Sequence, residues 1–114
     1  MEGANWNDKI QMGDFTFDNR IVMASLTRER CDPKLSIPTD MLVEYYTQRV
    51  GGAFILTEGV AWTVKGRGSF GAPCLYNEDQ MKGWKKVVDA VHSKGGKIFV
   101  ELFHCGRVGH PDKS

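Results

Sequence analysis

Residues 51–60 read GGAFILTEGV: a glycine pair, a continuous apolar run, and then a hydroxyl, a carboxylate and a third glycine. The run AFILT (53–57) has strand length and does not alternate, which is the pattern of a parallel strand buried on both faces beneath helices. Two other stretches share it, RIVMA (20–24) and KIFVELF (97–103). Between the first two lies a polar loop with Pro33 and Pro38. Thr39 or Asp40 can then cap a helix whose apolar positions Met41, Leu42, Tyr45 and Tyr46 recur at helical spacing, closing at Gly51-Gly52. After the second strand comes a long glycine-rich loop to Asn77. Asn77 with Gln80 makes a capping box, and Met81, Trp84, Val88 and Val91 mark one face of a second helix that stops at Gly95-Gly96. Upstream, KIQMGDFTFDN alternates apolar and polar residues around Gly13-Asp14, the signature of a hairpin. The fold class expected is α/β, an N-terminal hairpin followed by βαβαβ, forming one unit over residues 1–114.

The totals narrow the choice of partners. With 15 Lys and Arg against 14 Asp and Glu in 114 residues, the formal charge is +1, so no global field recruits nucleic acid or an anionic membrane. No stretch reaches the roughly 20 apolar residues of a membrane span, and the polar start MEGANWNDK is unlike a secretory signal. A soluble, cytoplasmic chain is expected. Cys31, Cys74 and Cys105 are odd in number and contain no CxxC, which favours reduced thiols over a disulfide framework or a structural zinc site.

Right-handed crossovers put the C-terminal ends of parallel strands on one edge of the sheet. Ser25-Leu26-Thr27-Arg28, Thr57-Glu58-Gly59 and Glu101-Phe103-His104-Arg107 therefore converge where α/β proteins gather binding groups. Glu101 stands out, because a charge inside IFVELF is costly to bury unless it is paired or functional. GRGSFG (66–71) fits GxGxxG but starts well past the strand and runs into Pro73 rather than opening a helix, so it reads as a flexible loop. His104, Cys105 and His110 lack a ligand spacing and a completing carboxylate; no metal site and no catalytic residue proper is expected.

Five ordered blocks between Met12 and Pro111 carry a resemblance: NRIVMASLTRER, EYYTQR, ILTEGV, GWKKVVDAVHSKGGKIF and VELFHCGRVG. Together they resemble the N-terminal portion of the Old Yellow Enzyme family, flavin-dependent ene-reductases that include the plant 12-oxophytodienoate reductases. The resemblance implies the first three strands of a TIM (β/α)8 barrel, here incomplete. It also implies FMN at the C-terminal mouth, NADPH or NADH as reductant and an α,β-unsaturated carbonyl (enone) as substrate. ASLTR aligns with the family's APLTR, so that Ser25 and Leu26 approach the flavin through backbone and the Thr27 hydroxyl lies near N5 and O4. Gly59 aligns with a small residue facing the isoalloxazine, and Glu101 with a glutamine that holds the pyrimidine edge.

Three departures from the family pattern follow: Ser25 for proline, Phe103 for tryptophan and Glu101 for glutamine. An amide donates to flavin O2 while accepting from N3–H, whereas a carboxylate only accepts. The family's substrate-binding His/Asn pair, proton-donating Tyr and phosphate-holding Arg and Gly have no counterpart in these residues. A barrel of eight strands takes about 250 residues. The expectation is that the chain is a fragment or one piece of a split barrel, which a partner chain or self-association completes, and that the chain alone does not turn over. The alternative is a degenerate, non-catalytic domain serving as a structural or interaction component of a larger assembly.

Overall fold

The computed structural model describes residues 3–113; Met1, Glu2 and Ser114, the ends of the expected unit, lie outside the described residues. Strands β1 (Ile10–Met12) and β2 (Phe15–Phe17) pair antiparallel, with Met12 opposite Phe15. Gly13 turns between them at φ +59°, a conformation that glycine adopts without penalty. Then follow β3 (Val22–Met23), α1 (Asp40–Thr47), β4 (Phe54–Ala61), α2 (Glu78–Ser93) and β5 (Ile98–Phe103). The last three strands form one parallel sheet in the order β3-β4-β5. The expected hairpin and βαβαβ are present, as an open sheet and not a closed barrel.

The core lies between the helices and β4, where Leu42 and Tyr46 of α1 meet Ile55 and Val60 of β4 and Trp84, Val87 and Val91 of α2. The buried face of α2 runs Gln80, Trp84, Val87, Val91, a spacing of four, three and four residues that holds one helical stripe inward. Each fully buried valine contributes about 1.5–3 kcal/mol relative to exposure. Asn77 accepts from the Gln80 N–H at 2.9 Å, as the capping box predicts. The reciprocal half is displaced, since Gln80 Oε1 accepts from the Tyr76 N–H at 3.0 Å while its amide donates to Leu35 O. Gly83 is required by contact, because a Cβ there would lie 2.7 Å from Ile37 Cγ2.

Several boundaries differ from expectation. The first strand narrows from RIVMA to Val22–Met23, and its flank is open, with Ile21 and Val22 exposed. Strand β4 continues past Thr57 to Ala61. Helix α1 stops at Thr47, short of Gly51, and Met41 and Met81 face solvent while Val87 takes the inward place expected for Val88. The largest difference is β5. KIFVELF reads as buried on both faces, yet Phe99, Val100, Leu102 and Phe103 are all exposed. It is the last strand of the sheet, and the two helices pack toward β4 rather than over it.

Candidate functional site

The geometry begins with an irregularity in β4. Leu56 pairs with Phe99 and Gly59 with Glu101, so β4 uses three residues where β5 uses two. The extra residue is a bulge at Thr57-Glu58, a device that re-aims side chains at a strand end. Both bulge residues are buried. Thr57 Oγ donates to Glu58 O at 2.8 Å and accepts from the Glu101 N–H at 3.1 Å. The Tyr46 hydroxyl donates to Glu58 Oε2 and accepts from the Glu58 N–H, each at 2.9 Å, closing a ring between α1 and the bulge. Burial pushes the Glu58 carboxyl above its ordinary range, partly offset by the Tyr46 hydroxyl and by Arg28. Its Oε1 has no hydrogen-bond partner of normal geometry among the described residues.

The bulge leaves Gly59 beside Glu101 and Phe103. A Cβ on Gly59 would lie 3.2 Å from Phe103 Cβ and Cγ and 3.6 Å from Glu101 Oε1, so only a residue without a side chain leaves this surface open. Ser25, beyond the end of β3, reaches across and donates to Glu101 Oε1 at 2.9 Å. Glu101 is exposed, which corrects the expectation of a buried charge in an apolar strand, and its side-chain partner is Ser25.

These groups border a cavity of about 530 Å³ at the C-terminal edge of the sheet, within the range of about 300–1,000 Å³ typical of small-molecule sites. Thr27, Gly59 and Glu101 line it directly. Ser25 is half-buried and joins it through Glu101. Leu26 does not: it is exposed and borders a separate groove with Tyr45 and Arg49 beside β3.

His104, expected at this edge, lines the cavity with Cys105 just beyond β5. The part of the wall that was not legible in the sequence is Arg67, Gly68 and Ser69. Their segment is pinned and not a free loop. Arg67 donates to Ser36 Oγ at 2.7 Å, and the Cys105 N–H donates to Gly66 O at 3.1 Å. A Cβ on Gly66 would lie 2.9 Å from the His104 ring. The spaced glycines of GRGSFG were the available signal, marking close approach of backbone rather than a phosphate turn.

A planar heterocycle fits this arrangement in part. Gly59 leaves room for a ring face, and Thr27 offers a hydroxyl. Glu101 offers an acceptor for a ring N–H, though no donor for a neighbouring carbonyl.

The sequence model of the NADH:flavin oxidoreductase / NADH oxidase family matches residues 8–113. The 12-oxophytodienoate reductase 7 of Oryza sativa subsp. japonica is 43% identical over 101 residues, covering 88% of this chain and 25% of that protein. Among solved structures, morphinone reductase in complex with tetrahydroNAD superposes with a TM-score of 0.89 at 38% identity, covering 94% of this chain and 29% of that one. The old yellow enzyme from Trypanosoma cruzi superposes at 0.90 with 36% identity, covering 95% and 29%. The chain thus spans between a quarter and three tenths of the length of these relatives. The matched structures are barrels, of which the chain reproduces the opening strands. It belongs to the NADH:flavin oxidoreductase / NADH oxidase family and corresponds to the N-terminal region of the Old Yellow Enzymes.

Proposed function

We propose that the chain forms the N-terminal wall of an FMN site in an NAD(P)H-dependent ene-reductase acting on α,β-unsaturated carbonyl compounds. The observation that carries this reading is the meeting of Thr27, Gly59 and Glu101 around one cavity at the C-terminal edge of a parallel sheet. Gly59 admits the ring face. The Thr27 hydroxyl, on a residue that lines the cavity, would donate to the ring where charge changes on reduction and so tune the potential. Ser25 contributes through its bond to Glu101, whose carboxylate accepts from a ring N–H. When bound, FMN supplies the relay of hydride from NADPH or NADH to the alkene carbon β to the carbonyl.

Residues 1–114 act in this reading as one partial domain that further strands complete, whether from the same polypeptide, a partner chain or a second copy. The exposed faces of β5 are the surface such strands would cover. No helix among the described residues is long and apolar enough to cross a membrane, and a cytoplasmic location fits the use of NAD(P)H. A degenerate, non-catalytic role is the second reading, favoured by the acceptor-only Glu101.

Titrating FMN into the purified chain and following flavin fluorescence tests the proposal. Saturable quenching that Gly59→Leu weakens by tenfold or more supports it, since the added side chain would occupy the ring's place. A chain that binds no FMN supports the non-catalytic role instead.

A further inference from the structure

We infer that Ser25 is a positioning residue for Glu101, and that the pair makes the site discriminate against a negatively charged ring, holding oxidised flavin more tightly than reduced flavin. The inference rests on the flavin reading above and adds which redox form the site prefers and why.

Glu101 is tethered at two points by residues from two other segments. Thr57 Oγ accepts from its backbone N–H at 3.1 Å, and Ser25 donates to its Oε1 at 2.9 Å. The second bond passes across β4, which lies between β3 and β5 in the sheet, at Gly59. A Cβ there would sit in ordinary contact with the same Oε1, at 3.6 Å, and too close to Phe103, at 3.2 Å, so Gly59 keeps the ring face open beside the Ser25–Glu101 bond. With Oε1 occupied, Oε2 makes no hydrogen bond among the described residues, on a side chain that lines the cavity.

The charge is not cancelled nearby. Among the described residues Glu101 has no ion pair, and the guanidinium in the cavity wall, Arg67, is directed to Ser36 Oγ and Pro33 O. The unit formed is a fixed, acceptor-only anion, because the Ser25 proton points at Glu101 and not at a ligand. An imide N–H satisfies such an edge and a carbonyl does not. Two-electron reduction with uptake of one proton leaves a flavin ring with one negative charge more than before. A carboxylate held at that ring opposes the charge, where a neutral amide would not. Serine and glutamate are two of the three departures from the family pattern, and they touch each other. An untethered Glu101 could turn away toward solvent; Ser25 denies it that escape.

The test uses the full chain as wild type and as Ser25→Ala, Ser25→Thr, Glu101→Gln and the Ser25→Ala/Glu101→Gln double variant. Each is titrated calorimetrically with FMN and, without oxygen, with dithionite-reduced FMN. The wild type is expected to bind the oxidised form at least tenfold more tightly, a ratio equal to about 30 mV in a two-electron potential. Glu101→Gln should bring the ratio within threefold, Ser25→Ala should lower it at least threefold, and Ser25→Thr, which keeps the hydroxyl, should restore it. In the Glu101→Gln background Ser25→Ala should change it less than twofold. A ratio untouched by Ser25→Ala, or changed equally in both backgrounds, overturns the inference while leaving the flavin site standing. Absence of binding by every protein in either redox form overturns both.

Discussion

Glu58 is the residue whose environment makes the sharpest prediction. Its carboxyl sits in the core against Tyr46, and burial raises its pKa above the ordinary 4.5. The native state therefore keeps the proton to higher pH than the unfolded chain does, so stability falls as pH rises from about 4.5 until the buried group ionises. Glu58→Gln retains an acceptor for the Tyr46 hydroxyl and removes the titration. Urea midpoints measured across that window should slope downward for the wild type and be flatter for the variant; parallel slopes would contradict the placement. This pair was hidden in the sequence, because Tyr46 and Glu58 meet only through a bulge that no local pattern announces. The Ser25–Glu101 bond was equally invisible, its partners lying 76 positions apart. The convergence of Thr27, Gly59 and Glu101 on one edge was legible, since parallel strands with right-handed crossovers leave no other arrangement.

At the scale of elements, periodicity located every strand and both α-helices of the described residues, and errors gathered at their ends. Helix α2 was the most legible because punctuation and stripe agreed: Asn77 caps it at 2.9 Å and Gly95, at φ +76°, closes it. Asn77→Ala should cost about 1 kcal/mol in a denaturation curve, with Asn77→Asp near neutral; no loss on the alanine change would mean that α2 is held by packing alone. Helix α1 was overrun because Gly51-Gly52 reads as its stop, whereas the helix ends at Thr47 with Gln48 as its C-cap, and Met41, counted in its apolar face, is exposed. GRGSFG (66–71) reads as a flexible loop because its anchors, Ser36 and Cys105, belong to other segments.

The whole molecule is more open than its length warrants. Its radius of gyration is 15.6 Å, against about 13 Å for a compact chain of this length. Its accessible surface is 7588 Å², against about 6,300 Å² by the usual scaling with mass. The excess agrees with β5, where Phe99 and Phe103 are exposed on one face and Val100 and Leu102 on the other. The sequence wrote these residues for burial, and the neighbours that would bury them are not among the described residues. Light scattering should show association beyond a monomer that the double variant Val100→Lys/Leu102→Lys reduces. A compact monomer that melts cooperatively would show that these faces need no cover.

The central claim, an FMN site at the C-terminal edge of the sheet, is tested most directly by following backbone amide resonances of the isotope-labelled chain during an FMN titration. Saturable shifts should be concentrated at Thr27, Gly59, Glu101 and Phe103, with Asn77 and α2 unmoved. No saturable shifts, or shifts confined to the Leu26–Tyr45 groove, would contradict the account.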